Sequence, residues 1–262
     1  PTPRPLAVVT GPTAGIGRAF AERLAERGHD LLLVARDAAR LAAVGAELAA
    51  RHGVQVEAWP GDLADDATAA RLAEALAERP RVDVLVNNAG FGTLGRFAAA
   101  DPGAQAAMVA LHCLAPLRLA RAVLPGMTAR GAGAIVNVAS VAAFMTAPGN
   151  ATYSGTKAFL QLWSEGLAGE LWGSGVQVQA LCPGFTRTEF HARMRFAPEQ
   201  VAAWLWMTPA EVVAASLRAL DAGGPVTVVP GLLYRAVVAA VRHLPLRVRT
   251  ATVARANRRG RT

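Results

Sequence analysis

Short, continuous apolar runs separated by longer helical patterns govern what this sequence can fold into. Leu6–Thr10, Leu31–Ala35, Val54–Ala58, Val82–Val86, Ala134–Ala139, Val176–Leu181 and Val226–Val229 read as strands. Between them, helical spacing is predicted over about Gly15–Gly28, Asp37–Arg51, Asp65–Glu78, a stretch ending near Met127, and Thr152–Trp172. Strands that lack polar alternation are buried on both faces, the mark of a parallel sheet covered by helices on each side. Right-handed crossovers then give a doubly wound α/β domain whose ligands bind beyond the carboxyl ends of the strands. A length of 262 residues suits one such domain. The expected division is one domain over residues 1–230 and a basic amphipathic extension over residues 231–262.

The turn Thr10-Gly11-Pro12-Thr13-Ala14-Gly15-Ile16-Gly17 opens the first strand–helix unit. Glycines let the backbone approach a pyrophosphate without a Cβ in the way, and a helix N-terminus offers free N–H groups. The same glycines would also serve a plain tight turn. At the end of the second strand stand Arg36 and Asp37. An acid ending this strand takes ribose hydroxyls, whereas an arginine accommodates a 2′-phosphate. Arg36 therefore favours NADP(H), with Asp37 as the cap of the next helix. Asp62 and Leu63, after the third strand, are candidates for the adenine end of the site.

Tyr153 and Lys157 lie four apart in a helical segment and share one face. A phenol is a weak acid–base group at neutral pH, and a nearby ammonium moves it toward the working range. Lysine supplies that charge compactly; arginine holds its proton too tightly to join a relay. Of the 27 basic side chains, Lys157 is the one lysine, which makes its spacing from Tyr153 informative. Ser140 ends the strand Ala134–Ala139, where its hydroxyl can meet a substrate carbonyl or cap a turn.

Taken together, Thr10–Gly17, Asn87-Asn88-Ala89-Gly90, Ser140, Tyr153-x-x-x-Lys157 and Pro183-Gly184 resemble the short-chain dehydrogenase/reductase family, over about residues 6–230. The resemblance implies a single Rossmann-type domain, a nicotinamide cofactor, no metal, and reversible hydride transfer between a carbonyl and an alcohol. It implies that Tyr153 protonates the nascent alkoxide. It further implies that Lys157 holds the nicotinamide ribose and lowers the Tyr153 pKa, and that Ser140 orients the carbonyl. The cofactor set it implies is Gly11, Thr13, Gly15, Ile16, Gly17, Arg36, Asp62, Leu63, Asn88, Ala89, Gly90, Tyr153, Lys157, Pro183, Gly184, Thr186 and Thr188. His112 occupies a position where the family usually has an asparagine, whose main-chain carbonyl supports a relay water. His112 is thus a candidate proton carrier, or a packed residue with no proton role.

Phe190, Met194, Phe196, Trp204, Leu205, Trp206 and Met207 lie in the region that closes over the substrate in the family, and they suggest a hydrophobic carbonyl compound. His191, Arg195 and Arg187 could meet an anionic part of it. The formal charge of +8 is local: residues 231–262 contain eight arginines and no acid, while residues 1–230 carry 19 basic and 19 acidic side chains. A pI near 11 therefore does not point to nucleic acid. A stripe of Leu233, Val237, Val241 and Leu244, with Arg235 and Arg242 opposite, is predicted either to pack on the body or a second subunit, or to lie on an anionic membrane.

Cys113 and Cys182 read as buried thiols of a cytoplasmic protein, and no secretory signal precedes Pro5. No apolar stretch reaches the ~18–20 uninterrupted residues of a spanning helix. The leading expectation is an NADP(H)-dependent ketoreductase, a homodimer or homotetramer. The alternatives are an NAD(H)-dependent alcohol dehydrogenase of the same fold and a non-catalytic cofactor-binding regulator.

Overall fold

A computed structural model of the chain describes residues 4–145, 149–190, 201–245 and 247–248. Seven parallel strands form one sheet: β1 (Leu6–Thr10), β2 (Asp30–Ala35), β3 (Val56–Pro60), β4 (Val84–Asn87), β5 (Gly133–Val138), β6 (Val176–Leu181) and β7 (Thr227–Val228), in the order 3-2-1-4-5-6-7. The described helices are α1 (Gly15–Glu26), α2 (Ala38–His52), α3 (Asp66–Ala77), α4 (Pro102–Val109), α5 (Ala115–Arg130), α6 (Ala151–Glu170), α7 (Pro209–Asp221) and α8 (Leu232–His243). The predicted doubly wound fold is the observed one. Strand order reverses between β1 and β4, which opens a crevice at their carboxyl ends.

The central strands are mostly apolar because both faces are covered. Val9, Leu31 and Leu33 pack with Phe20 and Leu24 of α1 and with Val212 and Leu217 of α7. On the other face, Val8, Leu32 and Leu85 meet Leu72 of α3 and Leu119 of α5. The run Pro102–Arg130 is long and apolar enough to cross a bilayer. Its apolar side instead packs on α3 and on strands β4 and β5. Cys113 and Cys182 are buried free thiols.

The edges depart from the sequence reading. The third strand starts two residues later than expected, because the Asp30 carboxylate takes the Gln55 N–H at 2.8 Å and the β2 ladder begins at Val56. Pro60, which has no N–H to give, is tolerated because β3 is an edge strand. The last strand shrinks to two residues.

The start of the predicted extension is α8, and it packs on the body with a different face from the one anticipated. Tyr234 and Val238 are buried, while Leu233, Val237 and Leu244 are exposed. Tyr234 fixes the phase of the helix. Its hydroxyl accepts from Phe185 N at 3.0 Å and donates to Leu205 O at 2.7 Å, and its ring fills the space over Gly184. Arg242 adds an ion pair to Glu165 at 3.6 Å and lies over the Phe144 ring.

A Cβ on Gly184 would lie 2.1 Å from the Tyr234 ring. Gly184→Ala is expected to destabilise the protein by about 2 kcal/mol through overpacking. The cost should shrink to a few tenths of that in a Tyr234→Ala background, a coupling that denaturant titration of the four forms measures. Equal costs in both backgrounds would rule out the contact.

Candidate active site

Three side chains meet at the carboxyl end of β5. Ser140 follows that strand and caps a short 3₁₀ turn, its Oγ accepting from Ala142 N at 3.1 Å. Tyr153 and Lys157 project from the first two turns of α6. The Ser140 side chain favours the ionised form of the Tyr153 phenol, against the effect of burial. Lys157, 5% exposed, donates from Nζ to Val138 O at 2.8 Å and lies 5.7 Å from the centre of the Tyr153 ring. The spacing read from sequence thus brings all three together.

A buried polar chain from β4 through β5 helps hold α6 in that place. Asn87 and Asn137 are cross-strand partners, and Asn87 Nδ2 donates to Asn137 Oδ1 at 2.8 Å. Asn137 Nδ2 in turn donates to Ser164 Oγ at 2.9 Å. Asn137 was not singled out from the sequence, since an asparagine inside an apolar strand declares no partner.

The electrostatics differ from expectation in one respect. Burial pushes Tyr153 up to about 12, against the opposing effect of Ser140. Burial likewise brings Lys157 down to about 8. In the protein alone, the lysine does not offset what burial does to the phenol, because its own charge is penalised by the same desolvation. Tyr153 is therefore a neutral O–H donor at physiological pH.

The glycine turn and the Asn88–Gly90 turn form one cradle. Gly11 and Gly15 have φ of +67° and +57°. A Cβ on Gly17 would sit 2.2 Å from Gly11 O and 2.3 Å from Asn88 Nδ2, so the turn closes only with hydrogen there. Asn88 Nδ2 donates to Thr10 O and Gly11 O, and the N–H groups of Asn88 and Ala89 both reach Thr10 Oγ1 at 2.9 Å. Thr10, buried, is thus an organiser whose role the sequence reading missed.

Helix α1 begins at Ala14 with no side-chain cap and no acid in its first turn, whereas Asp37 and Asp65 cap α2 and α3. Its first N–H groups are left for an anion, and Thr13 and Ile16 lie beside them. These features fit a dinucleotide pyrophosphate. At the adenosine end, Arg36 is 67% exposed with Asp62 Oδ2 at 3.7 Å; Asp62 Oδ1 accepts from Ala64 N, and Leu63 is buried.

On the substrate side, Thr186 is buried and donates to Gly184 O, following Pro183. Thr188 lies against Gly15, where an added Cβ would come within 2.7 Å of its methyl group. Residues 186 and 207 bridge in parallel, so both ends of the connecting segment are fixed. The Phe190 ring lies tilted against Tyr153 with centroids 5.7 Å apart, and the Trp206 ring lies 5.5 Å from that of Phe185. Trp204 is 72% exposed and does not face the site. Arg187 lies over Trp206. Met194, Phe196, His191 and Arg195 fall outside the described residues. His112 is buried in a π-helical turn, Ala110–Leu114, between α4 and α5, and its ring lies edge-on to Tyr153 at 5.9 Å.

Sequence and fold are similar to those of known proteins. The short chain dehydrogenase family matches residues 5–198. A short-chain dehydrogenase from Sphingobium yanoikuyae, solved in complex with NADPH, is 37% identical, with a TM-score of 0.82 over 98% of this chain and 95% of that one. A bulky-bulky ketone specific alcohol dehydrogenase from Comamonas testosteroni is 32% identical, with a TM-score of 0.77 over 98% and 94%. Among curated proteins, a very-long-chain 3-oxoacyl-CoA reductase of Aspergillus clavatus is 37% identical over 176 residues, 66% of this chain and 51% of that protein. The chain spans about half the length of such relatives. With the family motifs met in one site and the match running through most of the domain, the chain belongs to the short-chain dehydrogenase family of oxidoreductases.

Proposed function

We propose that the protein is an NADP(H)-dependent carbonyl reductase acting on a hydrophobic ketone. The observation that carries the reading is a Tyr153 phenol kept neutral by burial, with Ser140 at the adjoining strand end and a buried Lys157 on the same helix face. When bound, the nicotinamide supplies hydride to the carbonyl carbon. Ser140 and Tyr153 hold the carbonyl oxygen, and the Tyr153 proton passes to that oxygen as the C=O π bond breaks. Lys157 stabilises the phenolate left behind and binds ribose hydroxyls. A donor whose pKa stands near 12 keeps its proton until negative charge develops on the substrate, which suits the reductive direction.

Arg36 supports NADP(H). It is exposed at the end of β2, and the only acid adjoining it in sequence, Asp37, is committed to the Arg40 N–H as the cap of α2. The NADPH complex of the Sphingobium relative agrees, although a Burkholderia phymatum neighbour at 27% identity was solved with NAD. Phe190 beside Tyr153, together with relatives named for long-chain oxoacyl and bulky ketone substrates, supports an apolar carbonyl compound. Exposed Leu114, Phe159 and Leu162 on the α5–α6 side support a subunit contact.

Titration should show NADPH binding tighter than NADH, and Arg36→Asp should weaken NADPH about tenfold or more while sparing NADH. Equal affinities in the wild type would remove the NADP(H) assignment. A panel of hydrophobic ketones should drive NADPH oxidation that Tyr153→Phe abolishes. No turnover with intact cofactor binding would favour a regulatory role.

Lys157 yields a paired prediction. Its ammonium is present below about pH 8 and lost above it, while Tyr153 stays protonated, so the reduction rate should fall as pH rises through about 8. Lowering a lysine from 10.5 to about 8 means folding disfavours its charged form by about 3 kcal/mol. That penalty is present at neutral pH and fades as pH rises from about 8 to 10.5. Lys157→Met loses the Val138 bond, worth about 1 kcal/mol, and escapes the penalty. It should raise stability at pH 7 by about 2 kcal/mol while abolishing turnover. A lower unfolding midpoint for this variant would contradict the assignment.

A further inference from the structure

We propose that His112 is a positioning residue: a neutral imidazole, protonated at Nδ1, that ties the Asn88–Phe91 turn to the backbone of Tyr153. Three hydrogen bonds run head to tail between them. Phe91 N–H donates to His112 Nε2 at 3.1 Å. His112 Nδ1 lies 2.9 Å from Thr156 Oγ1, and Thr156 Oγ1 donates to Tyr153 O at 2.8 Å. The hydroxyl has one proton and it is already given, so Thr156 can only accept from His112. Nδ1 therefore carries the imidazole proton and Nε2 offers its lone pair.

Both ring nitrogens are committed, and a second proton would have to displace the Phe91 bond. Lys157 and Tyr153 on α6 are the titratable groups that face the ring, Cys113 is its chain neighbour, and no acidic partner is present among the described contacts. Burial, followed by the Lys157 charge, holds the imidazole well below its usual range. The ring does not take part in a proton relay.

Its place explains two neighbours. A Cβ on Gly90 would lie 2.7 Å from Nε2, so the imidazole requires glycine there. Thr10 holds the N–H groups of Asn88 and Ala89, and His112 holds that of Phe91, so the two side chains bracket Gly90. Asparagine is too short to span both partners. Its amide reaches the Nδ1 position beside Thr156, whereas a glutamine amide reaches the Nε2 position beside Phe91.

The catalytic consequence rests on the oxidoreductase reading; the tautomer does not. Ring-¹⁵N histidine NMR, with His112→Gln to identify the signals, should show Nδ1 protonated and Nε2 bare from about pH 5.5 to 8.5. Titration of His112 within that range overturns the proposal. NADPH binding supplies the second readout. His112→Asn, which frees Phe91 N–H, should raise Kd about tenfold while kcat at saturating cofactor stays within about threefold; His112→Gln should keep Kd within about twofold. Equal Kd for the two variants, or a kcat loss in His112→Asn like that of Tyr153→Phe, also overturns it. A wild-type protein that binds no dinucleotide refutes the oxidoreductase reading, and the NMR result still decides the tautomer.

Discussion

Everything in this site depends on how α6 lies across the end of β5. Tyr153 and Lys157 share a helix face by spacing alone, but a face has no value until it is aimed. The aim comes from two buried polar contacts between helix and sheet, Asn137 to Ser164 and Lys157 to the Val138 carbonyl. Each donates into an interior where an unmade hydrogen bond is costly, so sliding or rotating α6 would break both. The network extends to Asn87 on β4, the residue immediately before the turn that abuts the glycine cradle. Catalytic helix, central strands and cofactor turn are thus one mechanical unit.

That arrangement has an electrostatic cost which shapes the chemistry. Placing a lysine 5% exposed at the base of the site works against its charge, and placing the phenol nearby works against phenolate. Burial moves the two groups apart, to about 8 and about 12, so that at neutral pH the phenol keeps its proton and the lysine keeps its charge at a cost. The protein alone does not provide a pre-formed base. It provides a proton held in place with a cation-forming group behind it. Excluding water from the same space strengthens charge interactions there, since local charges are screened less.

Short-range signals were legible in the sequence; long-range ones were not. The glycine turn, the Tyr153–Lys157 spacing and the Asp37 cap each lie within a few residues and follow from local geometry. Thr10 organises Asn88 and Ala89 across 78 and 79 residues, and His112 reaches Phe91 and Thr156 across 21 and 44. Nothing in the sequence of one partner marks the other. The same limit explains the misplaced face of α8. Hydrophobic spacing favoured Leu233, Val237, Val241 and Leu244, but a buried Tyr234 with two hydrogen-bond partners sets the helix rotation, leaving Leu233, Val237 and Leu244 exposed and Val241 half-buried.

Tyr234 also changes what the carboxyl-terminal residues mean for the site. Its hydroxyl receives Phe185 N and gives to Leu205 O, at the two ends of the segment that begins beside the Pro183–Gly184 turn and returns through Met207. Phe190, five residues after the first anchor, Phe185, lies against Tyr153. The basic charge concentrated beyond residue 231 is attached to this Tyr234 clamp, so a contact made by α8 would bear on both anchors, Phe185 and Leu205.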